Sequence, residues 1–484
     1  MKKHITFLFL VMAALFGQAQ TIAPSLLKEM GQRRDDEKIR VFVIMQQQYD
    51  QTLLNDRAQH FTTRSERRDF VVNELKQFAE DTQSDLRHTL YEMERNGMVS
   101  KPKVLWIANA VCFEATQQAI YDLASRTDIR VIGFDVEQKM TPEDEIPQPA
   151  SNMREITPNV IQVGANQAWN LGYTGQNVVV AVVDGGVNYH HLDLADHLWD
   201  GGSEFPHHGY DVGEDDDDPM DTAGHGTHCA GTVCGDGTAG SQTGMAPDAT
   251  LMCIKMYPDE GDVPISLLFF SFQWVTEHGG DVISCSQGWY DSWMDPAHKE
   301  LCRNTCINVL TAGVIASVAA GNEGRYLDTY PIPYNIRYPG ACPPPYLDPD
   351  QQPNSGGLSC VISVGAVDYD DVPAEFTSYG PSTWTNTSFA DYPYTIGNPT
   401  EFGLIRPDVC APGVNIKSAK YDDIAGYTNM SGTSMATPCV AGCMALMLSK
   451  NPNLMPADVC RILEETSLQI TESKSNICLL TNNT

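Results

Sequence analysis

Four short segments carry side chains that can do chemistry. In Val182-Val183-Asp184-Gly185-Gly186 a carboxylate sits just past an apolar β-branched run, and two glycines let the chain turn tightly. Read alone, it is also an ordinary strand end. In Gly224-His225-Gly226-Thr227-His228-Cys229-Ala230-Gly231 an imidazole lies between glycines at the start of a small-residue helix. Glycine is costly in a helix unless close backbone approach requires it. His225 and His228 are three apart, but zinc would need further ligands and there is no His-Glu-x-x-His pattern. Ala319-Ala320-Gly321-Asn322-Glu323-Gly324 is a third strand end, whose Asn is either a turn former or an amide donor into a crevice. Ser431-Gly432-Thr433-Ser434-Met435-Ala436-Thr437-Pro438 opens an apolar helix running to about Leu448. Near a helix start, Ser434 feels the positive end of the macrodipole and carries a backbone N–H without an intrahelical acceptor. A plain N-cap is the alternative. Pro438 is expected in the first turn, where its missing N–H costs little.

These segments need a scaffold that brings strand ends together. Residues 177–183, 250–255, 282–285, 314–320 and 361–367 are short apolar runs, and residues 266–278 and 435–448 between them have helical patterns. Fully apolar strands alternating with helices predict an α/β fold with a parallel sheet covered on both faces. Ligands of such sheets bind beyond the carboxyl ends of the strands.

The first 150 residues read differently. Residues 1–19 form a signal peptide: Lys2 and Lys3, an apolar run over 5–16 and small residues before a cut after Ala19. That run is too short to span a bilayer, and no later stretch is long enough. The protein is expected to be secreted, extracellular or periplasmic. Residues 20–140 predict a small α+β domain. It has strands at 40–45, within 103–115 around Asn109-Ala110, and at 129–134. Helices are expected over 65–96 and 116–126, with Thr116 as an N-cap. The order β-α-β-β-α-β is the split βαβ, ferredoxin-like arrangement. Residues 141–158, with four prolines and with Glu143, Asp144 and Glu145 together, form an exposed linker of the kind proteases cut. Residues 159–484 are the large domain.

Charge limits the partners. The chain has 31 Lys+Arg against 62 Asp+Glu, a formal net charge of −31. This argues against nucleic acid or an anionic membrane as partner. Residues 20–150 hold 17 basic and 22 acidic residues, and residues 151–484 hold 12 and 40, which marks a boundary between them. Of 14 cysteines only Cys112 precedes residue 150, so an odd number lies in the large domain. Cys302 and Cys306, like Cys439 and Cys443, are four apart on apparent helices, a spacing that suits small buried side chains. Disulfides to distant partners are the alternative. No Cys-x-x-Cys supports a metal.

The chain order Asp, His, Asn, Ser, with the segments quoted above, resembles the subtilisin-like serine peptidases, the subtilase family. The resemblance covers about residues 159–465. Gly244-Met245-Ala246-Pro247, Ser378-Tyr379-Gly380-Pro381 and Arg406-Pro407-Asp408-Val409-Cys410-Ala411-Pro412-Gly413 extend it. It implies a three-layer fold with a mostly parallel seven-stranded sheet and an endopeptidase site at its carboxyl edge. Ser434 would be the nucleophile, His225 its base and Asp184 the group orienting the imidazole. Asn322 and the Ser434 N–H would form the oxyanion hole. Ser286, Gln287 and Gly288, with Ala319, Ala320 and Gly321, would flank a protein or peptide substrate held as an added strand. The resemblance also makes residues 20–140 an inhibitory, folding-assisting propeptide of a self-processing monomeric zymogen. A narrow-purpose maturation protease and an inactive peptide-binding pseudopeptidase are the alternatives.

The chemistry requires no cofactor. Structural calcium is an option the family offers, with Asp215, Asp217 and Asp218 in the acidic run 213–218 as candidates against a solvated loop. The sequence departs from the family at Gly185, where a hydroxyl residue is usual. It also departs in Pro-rich or polar insertions at 330–359 and 383–402, and in a C-terminal segment without the usual Gly-x-Gly turn, which looks truncated. Asn386-Thr387-Ser388 and Asn429-Met430-Ser431 match glycosylation sequons by chance.

Overall fold

Seven parallel strands form the central sheet. In spatial order they are Val409–Pro412, Ile362–Val367, Ile315–Ala319, Val282–Cys285, Val179–Asp184, Thr250–Lys255 and Gly209–Asp211. This is the expected α/β architecture. The structure is a computed structural model that describes residues 21–138, 148–149, 154–344, 358–384 and 403–470. The expected signal peptide, most of the expected linker, residues 345–357 of the first expected insertion, nearly all of the second with its Asn386 sequon, and the C-terminal segment lie outside the described residues.

Side chains alternate between two cores, as the pleat requires. Ala181 and Val183 face one, and Val180 and Val182 the other. Helix His225–Cys234 and helix Thr433–Lys450 pack against the second core and against each other. This is why the strands read as unbroken apolar runs: both sheet faces are covered. Among the described residues no helix is long and apolar enough to cross a membrane.

Residues 21–138 form a separate four-stranded antiparallel sheet of Val99–Leu105, Ala110–Ala115, Ile39–Met45 and Ile129–Phe134, in that order. Helices Arg64–Arg95 and Gln117–Ala124 complete the β-α-β-β-α-β order. Asn109 takes a left-handed conformation (φ 43°) between two of the strands, and the Thr116 hydroxyl accepts from the Ala119 N–H as its N-cap. Helix Gln51–Ala58, without a clear apolar period, is an addition to the reading.

This unit is bound tightly to the large one. Phe42, Ile44, Val71, Leu75 and Ile107 belong to the same apolar cluster as Phe269, Phe272 and Ile307. Both carboxylate oxygens of Asp135 accept from Ser266, one from its N–H at 3.0 Å and one from its hydroxyl at 2.7 Å, at the start of helix Ile265–Glu277. Arg67 Nε donates to the Thr311 carbonyl at 2.6 Å.

Candidate active site

Asp184 ends its strand at the carboxyl edge of the sheet and is fully buried. Its Oδ1 accepts from His225 Nδ1–H at 2.7 Å and from the Gly185 N–H at 2.7 Å. The glycines make this approach possible. A Cβ at 226 would stand 2.1 Å from the Gly186 carbonyl oxygen. Gly186 itself has φ +99°, and a Cβ there would lie 2.7–2.9 Å from backbone atoms of residues 219–221. Only glycine lets the helix carrying His225 rest on the strand end carrying Asp184.

The helix start is held by a residue the sequence reading missed. Asp221 accepts from the N–H groups of Ala223, Gly224 and Thr227 at 2.7–2.9 Å and from the Thr227 hydroxyl at 2.5 Å. Burial pushes its carboxyl above the usual range, against the pull of those hydrogen bonds. An acidic residue four before a His is a local signal that could have pointed to it.

Ser434 is the second residue of helix Thr433–Lys450 and is buried. Its N–H therefore has no intrahelical acceptor. Pro438 is the sixth residue of that helix, not part of its first turn, which corrects the expectation. A residue there normally donates its N–H to the carbonyl four residues back, that of Ser434. Proline has no N–H to give. Ser286 supplies the bond instead, its hydroxyl donating to the Ser434 carbonyl at 2.8 Å. The Ser434 hydroxyl in turn donates to the Ser286 carbonyl at 3.3 Å. Cys229 lies between His225 and Ser434, its Sγ 3.9 Å from His225 Nδ1 and 3.5 Å from the Ser434 carbonyl oxygen. Burial pushes this thiol up, so it stays protonated near neutral pH.

Asn322 follows the end of strand Ile315–Ala319. Its Oδ1 accepts from both the N–H (2.9 Å) and the hydroxyl (3.0 Å) of Thr433. This fixes which end of the amide donates. Asp184 and His225 are thus in direct contact, and Asn322 is tied to Thr433, the residue before Ser434.

The flanking residues divide. Ser286 is at the site. Ala320 uses its own N–H toward the Val364 carbonyl and its carbonyl toward the Arg337 N–H, so it can wall a cleft but not add a strand to it. An extended segment does pair with the large domain at another edge. Glu137–Gln138 lies antiparallel to Val263–Pro264. That two-residue strand was missed because it is too short to show a period. The acidic residues at 215–218 point to different partners. Asp215 accepts from Tyr210 and faces Lys103, Asp217 lies 3.9 Å from His207, and Asp218 accepts from Tyr189.

A family model described as the subtilase family matches residues 175–479. The chain belongs to the subtilase family. Membership places it among the serine endopeptidases. Subtilisin NAT of Bacillus subtilis subsp. natto is 30% identical over 314 residues, 65% of this chain and 66% of its own length. Subtilisin of Bacillus pumilus is 30% identical over 65% of this chain and 92% of its own. Serine protease AprX of Bacillus subtilis is 29% identical over 76% of each chain. One subtilase departure has a visible consequence. A Cβ at 185 would stand 2.9 Å from Tyr257 Cδ2, so this subtilase fills with a tyrosine ring the space a residue-185 side chain would take. Asp184 Oδ2 is buried without a hydrogen-bond partner among the described residues.

Proposed function

We propose that this subtilase is an exported, self-processing endopeptidase that cuts peptide bonds through an acyl-enzyme on Ser434. The observation that carries the reading is the 2.7 Å contact between His225 Nδ1 and the buried Asp184 carboxylate. It fixes the tautomer that leaves Nε2 as the base. His225 takes the Ser434 proton as the hydroxyl attacks the carbonyl carbon, then gives it to the leaving amine. Water repeats the cycle and releases the acid. The Ser434 N–H and the Asn322 amide bind the oxyanion, each donor lowering the barrier by about 3–4 kcal/mol. The proposed chemistry uses no cofactor.

The proposal extends to residues 20–140 as propeptide. The pairing of Glu137–Gln138 with Val263–Pro264 supports it, because it lays the end of the first unit along the large domain as an extended peptide. The cut falls within 141–158. Mass spectrometry of the purified full chain tests this. The wild type yields two fragments divided in that span, and Ser434→Ala stays whole. If both stay whole, the pseudopeptidase reading takes over.

A further inference from the structure

Four cysteines outside the catalytic site converge in the core. Cys302 and Cys306 lie one turn apart on helix Pro296–Thr311. Cys342 is in the Pro-rich insertion, and Cys360 shortly precedes strand Ile362–Val367. All four are free thiols, and none is more than 2% exposed. The Sγ atoms of Cys302, Cys306 and Cys342 lie within 4.8 Å of one another. Cys360 lies beside Cys306 and Cys342.

We propose that Cys302, Cys306, Cys342 and Cys360 form a tetrathiolate site for a structural zinc ion. Sulfurs around a tetrahedral zinc, at about 2.3 Å from the metal, stand roughly 3.8 Å apart, and those of Cys302, Cys306 and Cys342, within 4.8 Å of one another, need only small side-chain shifts to reach that spacing. Disulfides would give each sulfur a single partner. Here Cys306 and Cys342 each touch three other thiols, so no pairing is singled out. The helical i,i+4 pair presents two ligands on one face, and two loops supply the others. Binding exchanges four S–H bonds for four Zn–S bonds and sends four protons to solvent, with no change of oxidation state. The buried Arg303, between the helical pair, donates to the Pro344 carbonyl two residues beyond Cys342 and brings positive charge beside the anionic centre.

The site fastens the insertion to the body. Arg406 donates to the Gly340 and Cys342 carbonyls, and the same stretch carries Arg337, whose guanidinium binds the Glu323 carboxylate. Glu323 directly follows Asn322. The centre therefore steadies the oxyanion side of the site from behind.

The test uses the full chain purified without chelator, with elemental analysis, native mass spectrometry and thiol alkylation in denaturant without reductant. The expected result is one zinc per chain, with all four cysteines alkylated. After chelation, Co²⁺ alone should restore a tetrahedral thiolate absorption band. Cys302→Ser/Cys342→Ser should lose the metal, while Cys253→Ser, a buried thiol elsewhere, keeps it. A wild-type chain without stoichiometric metal, or peptides joined by disulfides among these four cysteines, overturns the proposal even if the double variant fails to fold.

Discussion

Asn322 Oδ1 accepts two hydrogen bonds from Thr433, the residue preceding the proposed nucleophile Ser434, so the proposed oxyanion amide and the helix carrying Ser434 are locked to each other. Asn322→Ala should lower kcat by about 10²–10³ with a much smaller change in KM. Thr433→Val, which keeps the N–H and loses the hydroxyl, should fall between. Steady-state kinetics on a peptide substrate measures both. A change in KM alone would show that Asn322 binds substrate and not the oxyanion.

Asp221 holds the start of the helix that carries His225. Asp221→Ala leaves the N–H groups of Ala223, Gly224 and Thr227 without their acceptor in a buried setting. Each such loss costs about 1–3 kcal/mol before relaxation. Denaturant unfolding should show destabilisation of at least about 2 kcal/mol, together with lower kcat. Unchanged stability would mean that the helix start is held otherwise.

The site was legible wherever chemistry and backbone constraint coincide in a short stretch. Glycines flank His225 because a Cβ at 226 has no room, and the apolar runs announced strands because both sheet faces are covered. Long-range compensation was not legible. Nothing near Pro438 says that Ser286, about 150 residues away, replaces its missing hydrogen bond. The four clustered cysteines lack a local metal spacing, since three separate segments bring them together. Val263–Pro264 is too short to show a pattern.

Gly185 and Tyr257 compete for one space. Gly185→Ser should destabilise by about 1–3 kcal/mol through overpacking. Adding Tyr257→Ala should cost less than the sum of the two single changes, because the ring's removal relieves the clash. A thermal double-mutant cycle checks this. Strict additivity would contradict the contact.

Asp295 caps helix Pro296–Thr311 and accepts from the Ser25 hydroxyl of the first unit at 2.5 Å. Burial pushes its carboxyl up, but the hydrogen bond and charge of His298, with the Ser25 hydroxyl, outweigh it and hold it well below the usual range. With the folded value below the unfolded one, its stabilisation is full above about pH 4 and is lost as pH falls further. The stability gap between wild type and Asp295→Ala should therefore shrink as pH falls below about 4. A gap that grows as pH falls below 4 would contradict this.

The proposed acyl-enzyme chemistry can be tested directly by labelling with a serine-directed fluorophosphonate, followed by peptide mapping. One covalent adduct is expected, on Ser434, formed quickly by the processed wild type and lost in His225→Ala. An adduct on another residue, or peptide cutting that persists in Ser434→Ala, would contradict it.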